Sequence, residues 1–173
     1  MSDRELITAA QAGDAEAFGQ LVVRYQRAAC GHAIAILGRR EEVRDVIQDS
    51  FLAAFRALRG LDPGRPFFPW FYVILRNRCL SILRKRRRER PLDECCVAAA
   101  EEDARPEIEE LRRALSRMPV EEREILVLKY IDNRPYSEIA EMLGVPPGTV
   151  ASRLHAARSR LASLIRRDAD VEK

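Results

Sequence analysis

The sequence lacks any long apolar run. No stretch reaches the length of a membrane span or of a signal peptide, and the N-terminal residues 1–5 include charged side chains in place of an apolar core. Apolar residues make up 47% of the chain and charged residues 33%, which is typical of a globular protein rich in amphipathic helices and excludes a disordered chain. We therefore expect a cytoplasmic protein.

Residues that ligate metals or carry out nucleophilic chemistry are scarce. The two histidines, His32 and His155, have no neighbouring ligands, and the four cysteines show neither a CxxC motif nor a Cys/His spacing suited to zinc. We therefore expect reduced, structural thiols, no metal, no cofactor and no catalytic residue. A redox or metal role for the adjacent Cys95 and Cys96 is the alternative.

Lysine is also rare, because 27 of the 30 basic residues are arginine (30 minus Lys85, Lys129 and Lys173). The net charge is only +3, since 27 acidic residues nearly balance the basic ones. Arginine pairs well with phosphates and with base edges, so its abundance favours a nucleic-acid partner.

The first half of the chain predicts helices. Apolar residues recur at spacings of three and four from Asp14 to Leu37, with Asp14 as a plausible N-cap and Gly38 near the end. A second helix is predicted from about Arg40 to Leu58. The segment Leu61 to Pro69, LDPGRPFFP, holds three prolines and a glycine and predicts a constrained loop presenting Phe67 and Phe68.

A long basic helix is predicted from Trp70 to Arg90, with Trp70 as a core anchor. Its last residues, from Arg84 onwards, are nearly all positive, whereas residues 93–110 carry eight acids and a single arginine. This change in composition places an acidic linker at 91–106 between an N-terminal domain, 1–90, and a C-terminal domain, 107–173. No strand pattern occurs, so we predict an all-α fold of two small helical domains joined by a flexible linker.

The C-terminal part predicts a helix-turn-helix. A short helix from Tyr136 to Leu143 is followed by a turn at 144–146 and a second helix from Pro147 to about Ile165. Gly144 suits the left-handed turn, and Pro147 suits a first helical position. The second helix is basic and without acids up to Arg167, so it can lie in a major groove. An ordinary helical hairpin with a solvated basic face is the alternative.

Both halves together resemble extracytoplasmic-function sigma factors, the compact sigma-70 group. The resemblance is carried by DVIQDSFLAAF, PFFPWFYVILRNRCLSILRKRRR and LSRMPVEEREILVLKYIDNRPYSEIAEMLGVPPGTVASRLHAARSRL. It covers Asp14 to Arg90 as region 2 and Ile108 to Ile165 as region 4. It implies a protein that binds core RNA polymerase, directs it to promoter DNA and helps to open the duplex, without covalent chemistry of its own. It also implies an anti-sigma factor as a partner.

The resemblance assigns three sets of residues. Polymerase binding is expected on one helix face, opposite the apolar residues Val46, Ile47 and Phe51, although a merely solvated acidic face fits the residues as well; the set is Asp45, Gln48, Asp49 and Leu52. Minus-ten recognition is expected from Tyr72, Arg76, Asn77, Arg78, Arg84 and Lys85. Minus-thirty-five recognition is expected from Thr149, Ser152, Arg153, His155 and Arg158.

The recognition helix departs from the family pattern at two positions. Ala151 and Ala156 stand where lysine or arginine is frequent. Two phosphate or base contacts are therefore missing, and we expect the logarithmic salt dependence of upstream binding to be flatter by about two units.

Two other classes of protein are alternatives to this interpretation. A stand-alone helix-turn-helix regulator would bind a palindromic operator as a homodimer, but the sequence offers no dimerisation helix and leaves DVIQDSF without a role. A nucleic-acid-processing enzyme would need clustered carboxylates or a nucleophile beside a base, and neither histidine has such a setting.

Overall fold

The computed structural model describes residues 1–38, 42–89 and 106–171, and their regular structure is entirely helical. The predicted linker and the cysteine pair Cys95 and Cys96 lie outside these residues. The helices are α1 Asp3–Gln11, α2 Ala15–Leu37, α3 Val43–Ala57, α4 Phe67–Glu89, α5 Pro106–Ser116, α6 Val120–Leu126, α7 Tyr136–Leu143 and α8 Pro147–Val171. A 3₁₀ turn, Leu58–Gly60, follows α3, and a π-helical turn, Val127–Ile131, continues α6.

Side-chain caps fix where the first helices begin. Ser2 caps α1 in a capping box, since its hydroxyl accepts from the Glu5 N–H while the Glu5 carboxylate accepts from the Ser2 N–H at 2.7 Å. Asp14 caps α2 as predicted, accepting from the backbone N–H groups two and three residues later at 2.9 and 3.1 Å. Gly38 ends α2 in the left-handed conformation, φ 70°.

Helix α4 begins three residues earlier than predicted. Phe67 and Phe68 were expected in a loop, but they form the first turn of α4 and are fully buried, stacking on Tyr25 at 5.5 and 5.4 Å between ring centroids. Pro69 does not prevent this start, because the first turn of a helix does not need its N–H. Pro63 and Pro66 therefore precede the helix and Pro69 lies in its first turn, while Phe67 and Phe68 belong to the core.

The N-terminal domain, α1 to α4, is built around aromatic packing. Helices α2, α3 and α4 pack on one another, and α1 covers α2. Phe71 is buried at the centre, stacked on Phe51 at 4.3 Å and on Phe67 at 5.7 Å. Such ring pairs add to the free energy gained from burying their area.

The C-terminal domain, α5 to α8, has α5, α6 and α7 packed on α8. Tyr130 was expected on the apolar face of the helix that follows Pro119, but it is 55% exposed. The π-helical turn is the reason, since its wider winding shifts the register of the face after Leu126. Ile131 is exposed for the same reason.

The two domains also pack against each other. Helix α2 contacts α6, helix α4 contacts α7, and buried apolar residues of both domains form one contiguous core. We call the surface where α2 and α4 meet α6, α7 and residues 132–134 the interdomain seam. The sequence-based prediction of two domains on a flexible linker did not anticipate this seam.

Candidate nucleic-acid interface

The predicted polymerase-binding face of α3 points outward. Asp45, Gln48 and Asp49 are exposed, and Leu52 is 46% exposed although it is a large apolar residue. Val46 and Phe51 are buried on the opposite face, as the spacing predicted, and Ile47 is half-buried. The face therefore offers carboxylates around an exposed leucine.

The same acidic face borders the basic part of α4. A cleft of about 300 Å³ lies between the two helices, with Asp45 and Asp49 on one wall and Lys85 on the other. An oxygen of Asp49 lies 3.7 Å from a guanidinium nitrogen of Arg78, and both side chains are partly exposed. The structure thus places the predicted polymerase-binding and minus-ten residues side by side.

The minus-ten candidates on α4 divide into two groups. Asn77, Arg84 and Lys85 are exposed, and Arg78 is half-exposed. Tyr72 is fully buried, and Arg76 is mostly covered. In the arrangement seen here, the first group faces solvent and the second is covered.

Glu124 of α6 engages the two covered residues. The Tyr72 hydroxyl donates a hydrogen bond to Glu124 Oε1, and Arg76 Nε donates to the same oxygen at 2.5 Å. Glu124 is itself 1% exposed. Burial, together with the neighbouring Glu124 charge, raises the pKa of Tyr72 well above its ordinary value, so the hydroxyl stays protonated and remains a donor.

Three further contacts cross the interdomain seam. His32 Nε2 of α2 lies 2.6 Å from Asp132 Oδ2, and the imidazole is 1% exposed. The Arg134 guanidinium lies over the Phe68 ring, 5.1 Å from its centroid. Arg65 pairs with Glu141 at the exposed edge.

The sequence-based prediction missed Glu124 and gave His32 no role, although helical periodicity places both residues on apolar faces. Val120, Glu124 and Leu128 recur every four residues, so the carboxylate lies on an apolar helix face. His32 lies between Ala28 and Ile36 in the same way. A charged or polar residue on such a face needs a partner from another element.

The helix-turn-helix is formed by α7 and α8. The predicted start of α8 at Pro147 is confirmed, although the helix continues to Val171, beyond the predicted Ile165. Gly144 occupies the left-handed region at φ 66°, and the Val145 N–H donates to the Ala140 carbonyl at 3.0 Å, closing the turn. Val150 and Leu154 are buried, and they anchor α8 to the domain.

The minus-thirty-five candidates line the outer side of α8. Ser152, Arg153, His155 and Arg158 are exposed, and Thr149 is half-buried. Ala151 and Ala156 are exposed too, so a basic residue at either position would have been free to contact DNA. The outer face can therefore lie in a major groove.

Across residues 1–38, 42–89 and 106–171, no group of three His, Cys, Asp or Glu side chains is placed to hold a metal ion. Within that same part of the chain, no helix is both long enough and apolar enough to span a membrane.

An all-helical chain with a helix-turn-helix in one domain and a basic helix in the other defines a two-domain DNA-binding protein. Residues 21–89 match Sigma-70 region 2, and residues 108–161 match Sigma-70, region 4. The chain belongs to the sigma-70 family and is an extracytoplasmic-function (ECF) sigma factor. It directs transcription initiation by RNA polymerase as a non-enzymatic subunit. The two alternative interpretations, a stand-alone regulator and an enzyme, are therefore wrong.

Individual relatives agree with this assignment over nearly the whole chain. The chain is 34% identical to the ECF RNA polymerase sigma-E factor of Salmonella typhimurium, with 96% of this chain and 98% of the relative covered. It is 36% identical to the ECF RNA polymerase sigma factor SigM of Mycobacterium tuberculosis, covering 95% and 85%.

Two solved structures resemble the chain across both domains. The structure of CnrH in complex with the cytosolic domain of CnrY matches with a TM-score of 0.77 at 32% identity, covering 96% of this chain and 98% of that one. The sigma factor RpoE from Bartonella quintana, in complex with the anti-sigma factor NepR, matches with a TM-score of 0.77 at 26% identity, covering 86% and 96%.

Proposed function

We propose that the three exposed surfaces divide the work of promoter recognition among them. Region 2, residues 1–90, binds core polymerase through α3 and the minus-ten element through α4. Region 4, residues 107–173, binds the minus-thirty-five element through α8, and residues 91–106 link the two. The observation that carries the proposal is that α8 is anchored by Val150 and Leu154 while Arg153 and Arg158 remain exposed.

The polymerase contact rests on the chemistry of α3. Asp45 and Asp49 provide negative charge, which speeds and orients the encounter with a basic partner surface. Leu52, exposed among these polar residues, provides apolar area that a partner can bury. Gln48 lies on the same face and adds neutral hydrogen-bonding groups.

Minus-ten recognition requires affinity for phosphates and a place for an unstacked base. Arg84 and Lys85 are exposed near the end of α4 and contact the phosphates of the DNA backbone. Asn77 and Arg78 lie one to two turns earlier and contact the bases. Unstacking a base costs on the order of a few kcal/mol, which stacking and hydrogen bonds in a protein site can offset. Tyr72 and Arg76 belong to the same proposed set, and in this structure they are covered and bonded to Glu124.

Upstream recognition rests on α8. Arg153, His155 and Arg158 contact phosphates and base edges, and Ser152 and Thr149 add hydroxyl groups. Because Ala151 and Ala156 add no charge, we expect this element to be bound more weakly than a recognition helix with two further basic residues would bind it.

An anti-sigma factor is the proposed regulatory partner. The similar chain from Bartonella quintana was solved with the anti-sigma factor NepR, and CnrH with the cytosolic domain of CnrY. We place the protein in the cytoplasm, where RNA polymerase and promoter DNA are available to it.

Run-off transcription tests the polymerase contact. Core RNA polymerase from the source bacterium is incubated with the protein and its own upstream DNA, with Asp45→Lys/Asp49→Lys as the test variant and Glu16→Lys as an exposed acidic control on α2. We expect a transcript that depends on the protein, survives the control substitution and is lost with the double variant. A double variant that still binds core and transcribes normally would remove α3 from the proposal.

A template without the right promoter would give no transcript with any variant. Pull-down of core polymerase by the wild-type protein then provides the measurement. We expect the wild-type and control proteins to bind core and the double variant to lose binding, whereas equal binding by all three would contradict the assignment of α3.

A further inference from the structure

A buried carboxylate joins the two domains. Glu124 is 1% exposed, and the two groups that bond it, the Tyr72 hydroxyl and Arg76 Nε, come from the other domain. A carboxylate is costly to bury unless charged and hydrogen-bonding partners surround it. The stability of Glu124 in this position therefore depends on contact with α4.

The other contacts across the seam differ in how well they are shielded from water. Arg65 and Glu141 are 60% and 58% exposed, so their attraction is screened and weak. His32 and Asp132 are 1% and 12% exposed and form a second shielded pair. Glu124 and Asp132, both from region 4, are therefore the carboxylates of these contacts that are shielded from water.

The two residues that Glu124 engages belong to the set proposed to contact the minus-ten element. Tyr72 has no exposed surface in this arrangement, and the Arg76 side chain is 21% exposed. We propose that Glu124 is an intramolecular latch that holds region 4 over Tyr72 and Arg76 in the free protein, so that this part of α4 meets DNA only after the seam opens. The inference rests on the proposed minus-ten role of these two residues.

The latch has a quantitative consequence. If Tyr72 and Arg76 bind DNA only in the open form, their contribution to the affinity of the free protein for single-stranded DNA falls as the open fraction falls. A substitution that opens the seam raises the affinity without adding any contact to DNA. This separates a latch from an ordinary stabilising interaction.

Trp70 provides a built-in reporter of the seam. It is the single tryptophan of the chain, and it is half-buried in a groove of about 340 Å³ between the start of α4 and α7, beside Glu138 and Met142. Opening the seam would expose its indole to water. Its fluorescence emission should then shift to longer wavelength.

The first experiment compares Glu124→Gln with Glu122→Gln in the full-length protein. Glu122 lies on the same helix but pairs with Arg160 within region 4, at 2.7 Å, so it is the matched control. We expect Glu124→Gln to increase the radius of gyration in X-ray scattering and to red-shift Trp70, while the control matches wild type. Asp132→Asn, at the second shielded pair, should change both readouts in the same direction. Circular dichroism verifies that each variant stays helical.

The second experiment measures binding of a fluorescent pool of random single-stranded DNA, about 12 nucleotides long, to cover a typical binding site. We expect Glu124→Gln to bind at least about fivefold more tightly than wild type, since a larger open fraction makes Tyr72 and Arg76 available beside the contacts already exposed on α4. Unchanged scattering and emission in a folded Glu124→Gln protein would show that the carboxylate does not hold the seam. An opened protein with unchanged DNA affinity would show that closure does not mask the surface. Either outcome overturns the proposal.

A third comparison distinguishes failure of the latch from failure of the assigned DNA contacts. Arg76→Ala is added to the Glu124→Gln variant, and we expect it to abolish the gain in DNA affinity while the protein stays open. If the gain persists, Arg76 is not a DNA contact, and the proposed minus-ten set loses that residue. The scattering and fluorescence results still decide whether Glu124 closes the seam.

Discussion

Burial changes the chemistry of single residues that look ordinary in the sequence. Cys79 is fully buried in α4, and burial, with a smaller effect of the nearby Glu124 charge, raises the pKa of its thiol to about 12. Cys30 is only half-buried in α2. The two thiols therefore differ in accessibility, which the sequence did not reveal.

We expect Cys79 to resist alkylation in the folded protein. Relative to a thiol at its ordinary pKa of 9.0, a pKa of about 12 lowers the reactive thiolate fraction about a thousandfold. Treatment with iodoacetamide at pH 8, followed by peptide mass spectrometry, should modify Cys30 first and Cys79 only after denaturant is added. Equal modification of both thiols in the native protein would contradict the burial of Cys79.

At the level of secondary-structure elements, the helix-turn-helix depends on one backbone conformation. Gly144 has φ 66°, whereas Gly148, in the first turn of α8, has no positive φ. A Cβ at either position would meet nothing within 4 Å. The two glycines thus allow backbone strain to be tested without steric clashes.

We expect Gly144→Ala to lower the free energy of unfolding by about 1 kcal/mol, because a left-handed conformation is unfavourable for alanine. Gly148→Ala should have no cost or a small gain, since alanine is the better helix former. Urea unfolding followed by circular dichroism measures both. The prediction fails if the two variants have the same stability.

Helix boundaries show where local patterns were sufficient and where they were not. Asp14 and Gly144 were predicted correctly, because a cap or a left-handed turn depends on neighbours in the chain. The start of α4 was misplaced, because the three prolines and the glycine of residues 61–69 suggested a loop, whereas Phe67 packs in the core against Tyr25. The exposure of Tyr130 was missed, because the sequence showed no sign of the π-helical turn.

At the level of the whole molecule, closure depends on which ion pairs are shielded from water. Glu124 and its partners lie inside the interdomain seam, while Arg65 and Glu141 form an exposed pair at its edge. Removing one partner of a buried ion pair destabilises the folded protein strongly, whereas removing one partner of an exposed pair destabilises it little. The seam should therefore respond unequally to substitutions at these carboxylates.

We expect Glu141→Gln to leave the protein closed, with scattering and Trp70 emission like those of wild type, because an exposed pair contributes only about 0 to 1 kcal/mol. Raising the salt concentration should have a similarly small effect, since screening acts mainly on exposed charges. If Glu141→Gln opens the seam as far as Glu124→Gln does, burial is not what distinguishes the two carboxylates.

The sequence alone determined the helical fold, the helix-turn-helix and the family, because these depend on spacing, caps and turn residues close together in the chain. It also predicted which residues of α3 and α8 would be exposed, while their roles in binding stay predictions. Only the tertiary structure decided that region 4 covers Tyr72 and Arg76. Tyr72 and Glu124 are 52 residues apart, and His32 and Asp132 are 100 residues apart, so no local pattern could pair them. Such pairs form only when two helical surfaces meet and exclude water from the groups between them.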